Sequence, residues 1–221
     1  MKNINRYIDH TLLKPEASAE QIEKLCQEAV QYRFFSVCIN PGNISLAKKY
    51  LAGSDVAICT VIGFPLGANT TETKVYETTN AINLGATEID MVINIGAVKS
   101  GDWKAVEDDI RAVKNACQDK ILKVIFETCL LTDEEKKMCA QVSERAGADF
   151  IKTSTGFSTG GATEADVRLM RAAVTARVQV KASGGVRDLK TALKMIELGA
   201  TRLGTSSGVA IVNGQQSDSQ Y

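Results

Sequence analysis

Apolar segments and amphipathic segments alternate along the whole chain. Eight short stretches rich in Val, Ile and Leu predict strands that begin near residues 7, 34, 56, 88, 121, 149, 178 and 202. Between them, apolar residues recur at helical spacing, as over residues 71–84, 103–117 and 132–145. Eight evenly spaced strand–helix units without a linker predict an α/β fold, a single (β/α)8 TIM barrel domain over residues 1–221. A doubly wound open sheet is the alternative, and the even spacing favours the closed barrel.

A repeated sequence motif marks the ends of three predicted helices. In segments 84–86, 146–148 and 198–200, a glycine joins an amphipathic stretch to the next apolar strand. Glycine ends a helix because it enters the left-handed conformation without a steric penalty. The predicted helix starts carry side chains that can cap the first turn. These are Ser18, Thr132, Thr163 and Asp188.

Side-chain alternation places charged residues inside the predicted barrel. Successive side chains of a strand point to opposite faces, and the apolar face has to pack on the helices. The other face then points inward, where such barrels usually carry Val, Ile and Leu. Here the inward positions include Asp9, Thr11, Cys38, Glu88, Asp90, Lys123, Glu127, Lys152 and Lys181. Because an isolated buried charge costs several kcal/mol, these groups have to pair with one another.

Three inward lysines indicate chemistry at a carbonyl group. A lysine beside other cations in a partly desolvated pocket loses affinity for its proton. The neutral amine can then form a Schiff base, whose iminium is an electron sink for cleaving a nearby carbon–carbon bond. This chemistry needs no metal and no cofactor, and the single histidine, His10, argues against a His-rich metal site. A purely structural set of ion pairs is the alternative, and the residue pattern alone does not select the nucleophile.

Glycine-rich loops follow the predicted strands seven and eight, at residues 184–188 and 204–208. Glycine lets backbone N–H groups approach an anion, and these two loops are the usual phosphate site of such barrels. Each loop alone is equally consistent with an ordinary tight turn, whereas the two together favour a phosphate site. The loop after strand six adjoins them. The candidate phosphate-binding residues are Thr155, Gly156, Gly184, Gly185, Gly204, Ser206 and Ser207.

Composition excludes several classes of partner. The chain carries 26 basic and 26 acidic residues, so it lacks the basic excess that nucleic-acid binding needs. No apolar run approaches the roughly 20 residues of a membrane helix, and the N-terminus lacks the apolar core of a signal peptide. The six cysteines form no C-x-x-C pair, which is typical of free thiols in a reducing compartment. We therefore expect a cytoplasmic protein that binds a small molecule, without nucleic-acid or membrane partners.

Five segments resemble motifs of the deoxyribose-phosphate aldolases: residues 8–13, 37–41, 88–94, 152–156 and 181–187. The resemblance runs in order from about residue 7 to residue 210, and the two lysine motifs are highly specific. It implies a class I aldolase that reversibly cleaves 2-deoxy-D-ribose 5-phosphate to acetaldehyde and D-glyceraldehyde 3-phosphate. It also implies that Lys152 forms the Schiff base and that Asp90 and Lys181 form a proton-transfer pair. For the assembly, it implies a homodimer or a monomer.

The same resemblance bears on two further positions. Members of the family often end in a tyrosine that folds over the site and transfers a proton, which makes Tyr221 a catalytic candidate on a flexible tail, residues 215–221. Some members carry a basic residue after the Thr-Gly of the first lysine motif, where this chain has Phe157. The remaining substrate-binding candidates are inward-facing: Asp9, Thr11, Cys38 and Lys123. For Cys38, a role as a small buried apolar residue is the alternative.

Two other functions remain open from the sequence. A phosphosugar isomerase or cyclase on the same barrel would use Asp90 and a lysine as acid and base without a covalent intermediate. A non-catalytic barrel would bind the phosphosugar without changing it. Borohydride separates the Schiff-base aldolase from these two functions, because it traps substrate on a lysine only if a Schiff base forms.

Overall fold

Eight parallel strands form a closed barrel in the computed structural model, which describes residues 4–216. The strands pair in chain order, and β8 returns to pair with β1. This confirms the (β/α)8 TIM barrel and excludes the open sheet. The strands are β1 (Ile8–Leu12), β2 (Ser36–Ile39), β3 (Ala57–Ile62), β4 (Glu88–Val92), β5 (Ile121–Ile125), β6 (Phe150–Lys152), β7 (Gln179–Ser183) and β8 (Ala200–Thr205).

Helices connect the strands and form the outer layer. Within residues 4–216, none of them is long and apolar enough to cross a membrane. Short 3-10 turns lie at Ile4–Tyr7, Pro41–Asn43 and Thr128–Leu130. The α-helices are α1 (Ala19–Gln31), α2 (Ile44–Tyr50), α3 (Thr71–Leu84), α4 (Ile95–Lys99), α5 (Trp103–Cys117), α6 (Asp133–Arg145), α7 (Glu164–Ala172), α8 (Leu189–Glu197) and α9 (Gly208–Val212).

The helix signals in the sequence have the expected geometry. Ser18 and Thr132 each form a capping box at the start of α1 and α6. Thr163 and Asp188 likewise accept a backbone N–H at the start of α7 and α8. The glycine after α3, Gly85, has a φ of 122°, in the region that favours glycine. The strand–helix boundaries therefore follow from local chemistry.

Helix α4 is an element that the sequence pattern did not predict. It has only five residues, too few for a helical repeat of apolar positions to be visible. Its start is defined by Asn94, whose side chain accepts a hydrogen bond from the backbone N–H of Ala97 at 3.1 Å. Asn94, which has the same strand parity as Glu88 and Asp90, therefore caps a helix.

The two faces of each strand have different surroundings. The outward side chains, such as Ile89, Met91, Leu122 and Val124, are fully buried against the helices. The inward face is divided. On the side of β2 and β3 it is apolar, with a small cluster of Leu13, Cys38, Cys59 and Val61. The inward faces of β4 to β8 and of β1 carry the charged groups. The charged side chains therefore face an apolar wall on the opposite side of the barrel.

Candidate active site

The carboxylate of Asp90, in the middle of β4, lies at the centre of the inward charges. Lys152 Nζ and Lys181 Nζ donate to its Oδ2 at 2.8 and 2.9 Å. Lys123 Nζ donates to its Oδ1 at 2.7 Å. All four side chains are almost fully buried. The three predicted lysines therefore converge on one predicted carboxylate.

A second group of ion pairs lies deeper in the barrel. Arg202 Nη1 bridges Asp9 Oδ1 at 2.8 Å and Glu88 Oε2 at 2.9 Å. Lys181 Nζ reaches Asp9 Oδ2 at 2.5 Å, and Lys123 Nζ reaches Glu88 Oε2 at 2.7 Å. The two groups therefore share Lys123 and Lys181 and form one network. It joins four basic side chains to three carboxylates.

The network shifts the pKa values of its members. Burial alone would raise the pKa of the Asp90 carboxyl, but the ammonium groups of Lys123, Lys152 and Lys181 hold it well below its usual range. Burial would also raise the pKa of Asp9, and Arg202 and Lys181 outweigh that effect and lower it. For Lys181, burial would lower the pKa, but Asp9 and Asp90 raise it well above its ordinary value. Asp9 and Asp90 are therefore ionised and Lys181 is protonated at neutral pH.

Arg202 is a member of the network that the sequence reasoning missed. Its guanidinium lies 3.5 Å from the ring centroid of Phe35 and 5.3 Å from that of Phe150, so it stacks at the bottom of the barrel. Alternation along β8 gives Arg202 the same inward orientation as Gly204, so strand parity alone was a signal that could have identified it.

Two thiols complete the surroundings of Asp90. Cys59 Sγ lies 3.1 Å from Asp90 Oδ1 and 3.2 Å from Lys123 Nζ. Cys38 lies opposite Cys59 on the neighbouring strand, and its pKa is lowered, mainly by a hydrogen bond with the Cys59 thiol. For Cys59, burial and the same hydrogen bond raise the pKa. Cys38 was a sequence candidate, whereas Cys59 was not.

The other inward candidate, Thr11, has a local role in the structure. Its hydroxyl donates to the backbone oxygen of Asp9 at 2.8 Å, within β1. Its side chain is buried beside Cys38, its register partner on β2. Thr11 therefore lies on the inner wall, outside the ion-pair network.

The glycine-rich loops lie at the carboxyl ends of the strands, on the side of Lys152 and Lys181. Gly184 and Gly185 have φ values of 84° and 79°, which turn the chain sharply after β7. A Cβ on Gly184 would lie 2.9 Å from Gly161 Cα, so glycine allows the loop after β6 to pack closely. The predicted loop at residues 204–208 is shorter than expected, because Gly204 and Thr205 are part of β8 and the loop begins at Ser206. A Cβ on Gly204 would clash with Ser183 and lie 3.0 Å from Lys181 Cε, so glycine lets β8 pass close to β7. The two predicted loops thus adjoin the lysines.

The remaining loop candidates are placed around the same rim. Thr155 hydrogen bonds to Glu127 through its backbone N–H, at 3.3 Å, and through its hydroxyl. Gly156, with a φ of 86°, turns the chain toward Phe157. Ser206 is half-buried and Ser207 is buried, and both follow β8 directly. Tyr221 lies outside the described residues.

Phe157 forms part of the apolar rim. Its ring meets that of Phe64, in the loop after β3, edge to face at a centroid distance of 5.3 Å. Phe157 keeps 43% of its surface exposed. The position after Gly156 therefore presents an aromatic ring at the barrel mouth, where it supplies no positive charge.

The chain has relatives among known proteins. The family profile described as DeoC/LacD family aldolase matches residues 4–214. The chain belongs to this family of aldolases. It is 63% identical over 212 residues to a deoxyribose-phosphate aldolase of Brevibacillus brevis, with 96% of each chain covered. It is 61% identical over 218 residues to that of Streptococcus gordonii, with 99% of each covered.

Solved structures agree with this assignment. A structure described as an aldolase superposes with a TM-score of 0.92 at 43% identity, covering 96% of both chains. The tetrameric deoxyribose phosphate aldolase of Aeropyrum pernix superposes with a TM-score of 0.89 at 33% identity, covering 95% of this chain and 89% of that one. The chain is thus an aldolase and hence a lyase, and a barrel without catalytic activity is not favoured.

Proposed function

We propose that this aldolase reversibly cleaves 2-deoxy-D-ribose 5-phosphate to acetaldehyde and D-glyceraldehyde 3-phosphate, through a Schiff base on Lys152. The observation that carries the proposal is the convergence of Lys152 and Lys181 on the same oxygen of Asp90. An amine, a carboxylate and a second ammonium group within one buried site are the groups that imine formation and proton transfer need. The names of the curated relatives support the substrate.

The contacts of the three lysines support Lys152 as the nucleophile. Lys123 has three carboxylate neighbours within 4 Å, and Lys181 has two. Among the described residues, the ion pair of Lys152 is with Asp90 only. Loss of a proton from Lys152 therefore breaks the fewest ion pairs. Lys152 is also the last residue of β6, at the end of the barrel where active sites of this fold lie.

The proposed reaction proceeds in balanced steps. The neutral amine of Lys152 adds to the C1 carbonyl, and loss of water gives the iminium. The hydroxyl on C3 gives its proton to Asp90, the C2–C3 bond breaks, and the electron pair of that bond enters the iminium to form an enamine. C3 thereby becomes the aldehyde carbon of D-glyceraldehyde 3-phosphate, which leaves the site. Lys181, paired with Asp90, relays the proton that returns to C2. Water then hydrolyses the imine and releases acetaldehyde.

The phosphate group is placed at the loops after β7 and β8 in this proposal. Backbone N–H groups around Gly184, Gly185, Gly204, Ser206 and Ser207 bind the anion, and Thr155 and Gly156 border the site. These loops adjoin Lys181 on the side away from the apolar wall. Asp9, Thr11, Cys38 and Lys123 line the inner part of the pocket, with Asp9 and Lys123 acting through the charge network.

The phosphate proposal is tested by Gly185→Val. Gly185 has a positive φ of 79° and open space around it, so valine distorts the loop backbone without a side-chain clash. We expect a rise in KM for deoxyribose 5-phosphate and little change for unphosphorylated deoxyribose. Gly53→Val is the matched control, because Gly53 has a φ of 81° and equally open space in the turn before β3. Equal losses on both substrates would place the phosphate elsewhere.

The tyrosine proposal concerns Tyr221. We propose that it takes part in the same proton transfer as Lys181, by passing the proton of the Asp90–Lys181 pair to C2, the carbon next to the imine, as the family resemblance implies. Deletion of Tyr221 should slow hydrogen exchange at the methyl group of acetaldehyde far more than it slows imine formation. Wild-type rates of both processes in the deletion variant would remove Tyr221 from the mechanism.

Borohydride trapping tests the nucleophile. Acetaldehyde and borohydride should leave an ethyl group on Lys152, located by peptide mass spectrometry. Lys152→Ala should lose both turnover and trapping with its fold intact, whereas Lys99→Ala, a surface lysine paired with Glu135, should keep both. Turnover without a trapped adduct would support an isomerase or cyclase, which uses Asp90 and a lysine without a covalent intermediate.

The assembly and location are part of the same proposal. We propose a homodimer, with the monomer that the family resemblance also allows as the alternative, and light scattering on the purified protein distinguishes the two. A relative is described as a tetramer, so a larger assembly is the outcome that would revise the proposal. All six cysteines are free, which supports a reducing, cytoplasmic location.

A further inference from the structure

Two buried thiols face the central carboxylate from neighbouring strands. Cys38 on β2 and Cys59 on β3 are register partners, and both are fully buried. Their Sγ atoms and a carboxylate oxygen of Asp90 all lie within 4.8 Å of one another. Cys59 Sγ is already 3.1 Å from Asp90 Oδ1. In the aldolase reaction proposed above, Cys38 lines the pocket, and neither sulfur atom takes part in a bond-forming or proton-transfer step.

We infer that Cys38, Cys59 and Asp90 form an inhibitory binding site for a thiophilic divalent cation of the Zn²⁺ or Cd²⁺ type. Two thiolates and one carboxylate are donors that such ions prefer. Three protein ligands also leave a fourth tetrahedral position open toward the pocket. The inhibitory part of the inference rests on the proposed role of Asp90, whereas the binding part does not.

The geometry needs only small adjustments to close around an ion. With Zn–S bonds of about 2.3 Å, two sulfur ligands of a tetrahedral ion lie about 3.8 Å apart. The present separations of up to 4.8 Å exceed that value by about one ångström.

The charge of the network also permits the ion. Each thiol has to lose its proton to become a ligand, so one divalent cation replaces two protons. The total charge of the buried network is then unchanged. Lys123 has to yield Asp90 Oδ1 to the ion, but it keeps Glu88 Oε2, which lies 2.7 Å from its Nζ. The displaced ammonium group therefore retains a buried partner.

A metal ion bound at this position directly blocks proton transfer at Asp90. The ion occupies Asp90 Oδ1, while Lys152 and Lys181 remain on Oδ2. Both oxygens of the carboxylate are then engaged, and the negative charge that would accept a substrate proton is shared with the metal. Turnover falls as the site fills, and a chelator restores it.

The test uses Cd²⁺ and Zn²⁺ on a Cys129→Ser protein. Cys129 is exposed, so its removal eliminates a surface thiol. Titration with Cd²⁺ should produce the ultraviolet charge-transfer band of thiolate–cadmium bonds, saturating at one ion per chain. In weak buffer with a pH indicator, about two protons should be released for each ion bound. Both readouts work without substrate, so they remain valid if the proposed aldolase chemistry is wrong.

Variants in the same background assign the ligands. Cys38→Ala and Cys59→Ala should each lose the saturable band and weaken inhibition by Zn²⁺ at least tenfold. Cys139→Ala is the matched control, since this buried thiol lies on α6, away from Asp90, and its removal should leave the band intact. If a variant fails to fold, X-ray absorption on the cadmium-loaded Cys129→Ser protein should still show two sulfur neighbours.

Three results would overturn the inference. The first is a band that survives in Cys59→Ala, the second is a metal shell without sulfur, and the third is binding that releases no protons. Binding with two sulfur ligands but without inhibition would confirm the site and contradict the role of Asp90. In that case, a normal borohydride adduct on Lys152 in the metal-free protein would show that the Schiff base still forms and that only the role of Asp90 is wrong.

Discussion

Replacement of Asp90 by asparagine tests the electrostatic account of the site most directly. The substitution keeps the shape of the side chain and removes the charge that three ammonium groups share. The described network then holds four basic groups and two carboxylates in place of three. Removal of one partner from a buried pair typically costs about 3–5 kcal/mol. We therefore expect a large loss of stability in a protein that still folds.

The loss has an upper limit, because a lysine can release its proton. An ordinary lysine has a pKa of about 10.4, so holding one neutral at pH 7 costs about 5 kcal/mol. The folded variant would then bind one proton fewer than its unfolded state, and its stability would rise with pH by about 1.4 kcal/mol per unit. Wild-type Lys123 and Lys181 have raised pKa values, so they contribute no such slope below pH 10.

The assay is urea unfolding of both proteins at pH 7 and pH 9. The stability gap between wild type and Asp90→Asn should be about 3–5 kcal/mol at pH 7 and should narrow by roughly 3 kcal/mol at pH 9. Glu134→Gln removes an exposed charge paired with Lys137 and should leave no gap at either pH. A gap of less than about 1 kcal/mol at pH 7, or one that does not change with pH, would refute the network as described.

Three further predictions follow from other parts of the site. Gly204→Ala should lower kcat and cost about 1–3 kcal/mol of unfolding free energy, because its Cβ would press on Ser183 and Lys181; steady-state kinetics and urea unfolding measure both effects. Arg202→Met should destabilise the protein at pH 7, and its stability difference from wild type should narrow as the pH falls below about 4, because the lowered pKa of Asp9 contributes stability only above that range. Urea midpoints of both proteins, measured at pH 7 and below pH 4, check the sign. Phe157→Lys should lower the KM for deoxyribose 5-phosphate about tenfold relative to the KM for deoxyribose, because one added charge near the phosphate contributes about 1.4 kcal/mol. Equal changes in KM on both substrates would contradict a phosphate near that rim.

The barrel and much of its site were predictable because both depend on short-range rules. Strand alternation alone assigned Asp90, Lys123, Lys152 and Lys181 to the interior, and the structure brings all four together. Closure of the barrel followed from the even spacing of its units. Helix boundaries followed from capping residues such as Thr132 and from glycine at position 85.

The contacts within the interior were not predictable to the same degree. Parity states that a side chain points inward, but it does not state at which height along the barrel it lies. Arg202 pairs with Asp9 across 193 positions of the chain, and that contact depends on the stagger of all eight strands. The apposition of Cys38 and Cys59 likewise depends on the register between β2 and β3. Local sequence rules contain neither quantity.

The balance of charges inside the barrel bears on the chemistry as a whole. The described network carries one more cation than carboxylate when every lysine is protonated. In the proposed reaction, the nitrogen of Lys152 loses its positive charge twice, once before it attacks and once when the iminium becomes an enamine. The first loss brings the network to neutrality. In the second, the proton that Asp90 takes from the C3 hydroxyl keeps the net charge at +1, so cleavage moves positive charge from the nitrogen to the carboxyl group without changing the total. In a buried site of low dielectric, the excess positive charge therefore favours the first loss, which frees the amine for attack. Arg202 sustains this excess from the bottom of the barrel, without contact with the reacting atoms.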